Sequence, residues 1–163
     1  MNKHGFALTE LIVVIGLIAI LLAITTLDFG AWQRKSMVER YTKELYSDLQ
    51  DARMRAAFTK VRQGVELSAQ QVTFRRYTSE GHILGDVIST KNLPLTITWN
   101  GGWANPIIFD TRGIMNDPII KVLCITTNED AAYDALIITP ALTNMGKVTN
   151  RGSACARTNV TQK

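Results

Sequence analysis

The stretch Gly5-Phe-Ala-Leu-Thr-Glu10-Leu-Ile-Val-Val-Ile-Gly-Leu-Ile-Ala-Ile-Leu-Leu-Ala-Ile24 decides the fold of this 163-residue chain. The apolar run reaches Leu27, and a helix of about 22 residues, rising ~1.5 Å per residue, crosses a hydrocarbon core of ~30 Å. One carboxylate, Glu10, interrupts it. A carboxylate in lipid costs on the order of 3 kcal/mol and needs a partner or a route to the interface. The stretch therefore predicts a membrane-spanning helix with one charge that needs explaining.

Two ordinary kinds of N-terminal segment are alternatives. A secretory signal peptide carries a small-residue cleavage site after its apolar core, and residues 22–27, Leu-Ala-Ile-Thr-Thr-Leu, contain no convincing A-x-A site. A plain membrane anchor fits the length, and Glu10 lies close enough to the end of the run to reach the interface. Neither alternative gives a reason for the glutamate.

The N-terminus resembles the leader of type IV pilins and type II secretion pseudopilins, in which a short polar leader ends at a glycine before the apolar run. Here residues 1–5 read Met-Asn-Lys-His-Gly. The resemblance implies that a prepilin peptidase cleaves between Gly5 and Phe6 and that Phe6 is then N-methylated. Glu10 matches the family's glutamate at the fifth mature position, which pairs with the N-terminal amine of a neighbouring subunit. Pairing makes both charges tolerable in lipid. The helix-kinking proline of many major pilins is missing from this run.

An amphipathic pattern follows the apolar run. Apolar residues recur at steps of three and four, and opposite charges stand four residues apart, as in Glu39 with Lys43. This pattern predicts one helix from about residue 6 to about residue 59, with a stripe that packs on a globular domain: Val38, Tyr41, Leu45, Leu49, Ala52 and Ala56. Four charged residues are predicted to form its solvated face: Asp48, Asp51, Arg53 and Arg55.

Beyond Gly64 the chain consists of short runs rich in β-branched and aromatic residues, separated by turn residues. The candidate strands are residues 65–67, 71–77, 82–88, 95–99, 107–109, 119–126 and 135–139. The tail from Asn144 is predicted to be a loop or an edge strand. No repeat or linker divides this region, so the predicted fold class is α+β, a long N-terminal helix packed on an antiparallel β-sheet domain. The predicted units are a leader (1–5), a transmembrane and assembly helix (6–29) and a periplasmic pilin-like domain (30–163).

Two cysteines, Cys124 and Cys155, are far apart in the part predicted to lie outside the cytoplasm. A disulfide that fixes the tail to an earlier strand is favoured over a metal site, which would need more ligands. Such a loop closure stabilises a domain by ~3 kcal/mol. Two independent buried thiols are the alternative.

The residues that could carry catalysis are sparse. His82 stands alone, and the sequence lacks nucleotide-binding, zinc-protease and hydrolase motifs. Trp99 and Trp103 flank an Asn-Gly-Gly turn and are predicted to pack together in a hairpin, with an exposed contact surface as the alternative. The sequence therefore predicts no enzyme, no cofactor and no metal site.

Later blocks are similar to the minor pseudopilin H and the FimT and FimU minor pilins. These blocks are residues 44–57, a leucine-rich helix end with arginines, and residues 107–113, 137–140 and 145–148. The resemblance implies a structural subunit that assembles into or primes a type IV pilus or a type II secretion pseudopilus. Other pilins are the expected partners of its N-terminal helix. Before assembly the chain would cross the lipid of the bacterial inner membrane once, with its C-terminal domain in the periplasm.

A basic tail suggests an alternative function. The formal net charge is +4, which is compatible with nucleic-acid binding and equally common without it. Lys147, Arg151 and Arg157 follow the last acidic residue, Asp134, and such a strip either binds phosphates or is simply a solvated tail. Some FimT proteins bind DNA through Gly-Arg-x-Arg, where this chain has Gly-Lys-Val-Thr at 146–149. The alternative is thus a minor pilin that binds DNA during uptake through these three cations.

Overall fold

The structure, a computed structural model, describes residues 8–78, 85–101 and 106–163, without the side chains of residues 23–28. Its dominant element is α1, Leu8–Thr59, a helix of 52 residues. At ~1.5 Å per residue such a helix is ~78 Å long. The predicted helix end at about residue 59 is confirmed. Nowhere in the described part of the chain is a helix both long and apolar enough to cross a membrane.

The strands of the described residues form two antiparallel sheets. The first sheet has the order β3-β2-β1-β5 and consists of β1 (Arg62–Ser68), β2 (Gln71–Tyr77), β3 (Asp86–Asn92) and β5 (Ile107–Phe109). The second has the order β4-β6-β7-β8-β9 and consists of β4 (Ile97–Trp99), β6 (Lys121–Ile125), β7 (Ala135–Ile138), β8 (Thr143–Val148) and β9 (Val160–Gln162). A single 3₁₀ turn, Arg157–Asn159, leads into β9. The α+β class is therefore confirmed.

One stripe of α1 packs against both sheets, chiefly on β1 and β8. Its buried residues are Val38, Thr42, Leu45, Leu49, Ala52 and Ala56. The stripe differs from the predicted one at a single step, because Tyr41 is only partly buried and Thr42 is 1% exposed. The Thr42 hydroxyl lies 2.9 Å from the Val38 carbonyl and 3.1 Å from the Tyr133 carbonyl, so it can donate a hydrogen bond inside the core.

The second sheet is covered on both faces, which explains why every residue of β6 and β7 is buried. Alternate side chains join the main core under α1: Leu123, Ile125, Leu136 and Ile138. Those between them form a second cluster with β9: Val122, Cys124, Ala135, Ile137 and Val160. Strands buried on both faces form continuous apolar runs rather than alternating patterns. The C-terminal segment is what covers the outer face.

Several predicted strand bounds change. β2 and β5 have their predicted bounds, whereas β3 spans Asp86–Asn92 instead of 82–88, and residues 82–84 lie outside the described residues. The tail predicted as a loop or an edge strand begins with β8, which pairs with β7 on one side and β9 on the other. At Gly146 a Cβ atom would lie 2.6 Å from a Val160 methyl carbon, so glycine permits this close strand pairing.

Candidate functional site

The first half of α1 presents apolar side chains on every side. All residues from Leu8 to Leu22 are exposed, and the large apolar ones range from 45% exposed at Val14 to 75% at Leu8. Side chains of α1 are fully buried against the domain only from Val38 onward. A helix that is apolar all round is typical of a segment that lies in lipid or among other helices.

Glu10 is the one charged residue between Leu8 and Leu22 and lies in the first turn of α1. The amide groups of a helix N-terminus favour a negative charge nearby. Its carboxylate is exposed, so a cationic group from another molecule can reach it.

The loop between β6 and β7 meets α1 just after the apolar half. Arg34 forms an ion pair with Glu129, and a Glu39 carboxylate oxygen accepts a hydrogen bond of 2.8 Å from the Ala132 amide. Thr42 reaches the carbonyl of Tyr133 in the same loop. These contacts fix the start of the globular domain on the helix.

Arg53 fixes the other end of the helix to the turn between β7 and β8. Its Nη1 donates a hydrogen bond of 3.1 Å to the Pro140 carbonyl, and its Nη2 donates one of 3.1 Å to the Thr139 carbonyl. The guanidinium carbon lies 5.0 Å from the centre of the Phe109 ring. Burial lowers the pKa of Arg53 below its ordinary value, because removal from water disfavours a cation.

The predicted solvated face of α1 is wrong for two of its four residues. Arg53 is half-buried, since carbonyl groups and an aromatic ring replace water around it. Asp48 contacts Lys91 of β3 at 2.7 Å and so joins the helix to the first sheet. Asp51 and Arg55 form an exposed pair with 2.7 Å between nitrogen and oxygen, as expected of a solvated face.

Cys124 of β6 and Cys155 form a disulfide across a sequence separation of 31 residues, with their Cα atoms 5.9 Å apart. The bond holds the segment before the 3₁₀ turn against the outer cluster of the second sheet. The structure thus contains the predicted bond rather than two independent thiols. Disulfides persist in oxidising compartments such as the bacterial periplasm.

The basic tail meets acidic residues from another loop. Lys147 Nζ and Arg151 Nη2 lie 2.8 Å and 3.2 Å from the same oxygen of Asp130. Hydrogen bonds from Lys147, then from Arg151, lower the pKa of the Asp130 carboxyl group. Arg151 also lies 3.4 Å from the buried carboxylate of Asp134, and Arg157 donates to the Val160 carbonyl at 2.8 Å. The structure therefore brings together two of the three predicted phosphate contacts, but as ion pairs.

The comparisons with known proteins agree with this architecture. A family model described as the prokaryotic N-terminal methylation motif matches residues 1–26. A crystal structure of the type IV minor pilin FimU from Pseudomonas aeruginosa superposes with a TM-score of 0.57 at 14% identity, covering 77% of this chain and 99% of that chain. The chain has the fold of a type IV minor pilin. A second crystal form of FimU gives a TM-score of 0.54 at 16% identity, covering 72% of this pilin-like chain and 99% of FimU. No curated protein matches the sequence at a significant level.

The predicted pilin-like resemblance is confirmed, whereas the roles of individual residues are predictions still. Gly5 and Phe6, the predicted cleavage and methylation residues, lie outside the described residues but inside the stretch that the methylation motif matches. His82 and Trp103 also lie outside the described residues. The sequence could not predict the ion pairs of the tail, because Asp130 lies on the loop between β6 and β7 and meets Lys147 and Arg151 only in the folded chain.

Proposed function

We propose that this chain is a minor pilin or pseudopilin, a structural subunit that assembles into or primes a type IV pilus or a type II secretion pseudopilus. One observation carries the proposal: the first half of α1 is apolar and exposed all round, on a pilin fold and within a prepilin methylation motif. Such a surface needs a cover that the described part of this chain does not supply. Lipid provides it before assembly, and the helices of neighbouring pilins provide it afterwards.

Maturation follows the family pattern in this proposal. A prepilin peptidase cleaves after Gly5, and the new N-terminal residue, Phe6, is methylated. The helix holds the subunit in the bacterial inner membrane with the C-terminal domain in the periplasm. The disulfide between Cys124 and Cys155 supports this placement, because structural disulfides form in oxidising compartments.

Glu10 has the assembly role. A buried carboxylate and a buried ammonium group each cost several kcal/mol when alone, by order of magnitude, and their pairing offsets much of this cost. The N-terminal amine of a neighbouring subunit is the partner proposed for Glu10. Correct stacking of helices would then satisfy both charges, and incorrect stacking would leave them unpaired.

Processing is tested by mass spectrometry of the chain purified from inner membranes of a bacterium that carries a prepilin peptidase. The expected N-terminal peptide starts at Phe6 and carries one methyl group. Gly5→Ala should retain residues 1–5. A Gly5→Ala chain that still starts at Phe6, or a wild-type chain that retains its leader, would show that the assignment is wrong.

Assembly is tested with Glu10→Gln, which keeps the shape of the side chain and removes its charge. This variant should be processed and retained in the membrane like the wild type, but should be lost from the sheared fibre fraction or from crosslinks to other pilins. Glu66→Gln, which changes a domain carboxylate paired with Arg75, is the matched control and should assemble. Equal incorporation of Glu10→Gln and wild type would contradict the role.

DNA binding in uptake is the second candidate, and it rests on Lys147, Arg151 and Arg157. We favour assembly because Lys147 and Arg151 are engaged by Asp130. A mobility-shift assay with the full chain in detergent at low salt should show no retained DNA. Binding by the wild type that disappears in a Lys147→Gln/Arg151→Gln double variant would favour the DNA role.

A further inference from the structure

An exposed aromatic pair stands on α1 between its apolar half and the globular domain. The rings of Phe29 and Trp32 stack with their centres 5.9 Å apart and an angle of 27° between their planes. The two residues are 55% and 62% exposed. With ~100° between successive helix residues, Phe29 lies on the side of α1 opposite the buried Val38. Core packing within the domain therefore gives no reason for this pair.

The position of the pair along the helix gives such a reason. If the span begins at Phe6, ~20 residues cover the hydrocarbon core, so it ends near residue 25. At ~1.5 Å per residue, Phe29 and Trp32 then lie roughly 6 Å and 10 Å beyond the core. The headgroup layer adds ~5–7 Å on each side. Because helix side chains tilt toward the N-terminus, the indole of Trp32 points back toward that layer.

We propose that Phe29 and Trp32 form an interfacial anchor that inserts at the headgroup level of a phospholipid bilayer. This inference rests on the proposed function, since it requires the apolar half of α1 to be in the membrane. Tryptophan is enriched at this level because its ring is apolar and its N–H group is polar. Exposed Lys35 follows within one turn and can reach lipid phosphates.

The anchor sets the distance between the membrane and the domain. Arg34, two residues after Trp32, already contacts Glu129 of the loop between β6 and β7. The domain therefore begins directly above the headgroups, and the aromatic pair marks the boundary. Lipid is favoured over a neighbouring pilin as the occupant because the pair lies just beyond the apolar run and Asp28, at the depth where aromatic residues concentrate.

The test uses the full chain in vesicles of phosphatidylcholine and phosphatidylglycerol that contain brominated phosphatidylcholine, with bromine either near the glycerol backbone or near the end of the acyl chain. The difference between wild type and Trp32→Phe isolates the Trp32 emission. We expect the shallow bromines to quench this emission several-fold more than the deep ones. The difference between wild type and Trp99→Phe is the control, and it should show no depth-dependent quenching because Trp99 is 9% exposed within the domain.

Flotation of the vesicles distinguishes failure of the proposed membrane role from failure of the proposed aromatic anchor. A chain that does not float with lipid overturns both the membrane role and the anchor. A chain that floats while Trp32 is unquenched, or is quenched most by deep bromines, overturns the anchor alone. Quenching that disappears as the protein-to-lipid ratio rises would place Trp32 between subunits, which also overturns the lipid assignment.

Discussion

The two halves of α1 belong to one continuous helix but differ in what covers them. From Leu8 to Leu22 every residue is exposed, and the sequence is apolar on all sides. Beyond Val38 one stripe is buried in the domain core, and charged residues line the flanks. The second half is thus stabilised by packing within this chain, whereas the first half offers its apolar surface to other molecules.

The energetic contrast follows from burial. Full burial of one large aliphatic side chain stabilises a fold by about 1.5–3 kcal/mol. Leu45 and Leu49, both 2% exposed, gain this stabilisation from the two sheets. The leucine and isoleucine side chains of the first half are exposed and gain no such stabilisation from the described part of this chain. Equivalent substitutions in the two halves should therefore change different measurements.

A matched pair of leucine substitutions gives the largest expected effect. Leu49→Ala should lower the free energy of unfolding of the domain by about 3 kcal/mol, because it removes buried methyl groups and leaves a cavity. Leu17→Ala, at a position that is 58% exposed, should leave that free energy unchanged. Chemical denaturation in detergent, followed by the far-ultraviolet signal of the strands, measures both. Equal losses would mean that the two halves are stabilised in the same way.

A matched pair of arginine substitutions tests the far end of the buried half. Arg53→Met should cost about 2 kcal/mol, since the Thr139 and Pro140 carbonyls lose a charged donor. Arg55→Met removes a pair in which both side chains are at least half exposed, and should cost less than about 0.5 kcal/mol. The same denaturation measurement applies. A costly Arg55→Met together with a neutral Arg53→Met would contradict the role of Arg53 in fixing the helix to the turn between β7 and β8.

These two arginines also show what a sequence pattern can and cannot reveal. The helical period of the apolar residues predicts which side of α1 is buried, so the burial of Val38, Leu45 and Leu49 was predictable. It cannot distinguish Arg53 from Arg55, because the difference lies in the carbonyl groups that the turn between β7 and β8 brings to one of them. Thr42 was missed for a related reason: its hydroxyl is satisfied by a carbonyl of its own helix and by one from a distant loop.

The same distinction holds for the candidate site. The cluster of Gly5, Phe6 and Glu10 is local in sequence, so the motif could be identified without a structure. The ion pairs of Lys147 and Arg151 with Asp130 depend on two loops that meet only in the fold. β8 was predicted only as a loop or an edge strand because its sequence, Thr-Asn-Met-Gly-Lys-Val, is polar for a strand that pairs on both sides.

A pH-dependent contact should join the buried half to the first sheet. Lys91 Nζ lies 2.7 Å from carboxylate oxygens of both Glu44 and Asp48. Burial opposes its charge, but hydrogen bonds from Lys91 to Asp48 and Glu44 outweigh burial and raise its pKa above the ordinary 10.5. A raised pKa stabilises the fold fully below the unfolded-state value, and this stabilisation is lost as pH rises through the folded-state value.

Lys91→Gln should therefore cost about 1 kcal/mol at pH 8, and the cost should shrink as the pH rises above 10.5. Urea unfolding of wild type and variant at pH 8 and in an alkaline series measures the difference. Lys35→Gln, which removes an exposed lysine of α1, is the control and should show no such trend. A cost that stays constant into strongly alkaline solution would contradict the role of the lysine charge.

The smallest expected effect concerns the residue that ends the buried half. Lys60 follows α1 with a φ angle of 56°, in the left-handed region that favours glycine. Because a Cβ atom is strained there, Lys60→Gly should stabilise the domain by about 0.5 kcal/mol, after the added freedom of glycine in the unfolded chain is subtracted. Lys60→Ala keeps the Cβ atom and should give no gain, which separates backbone strain from loss of the lysine charge. Equal melting temperatures for Lys60→Gly and Lys60→Ala would show that this strain does not limit the end of the helix.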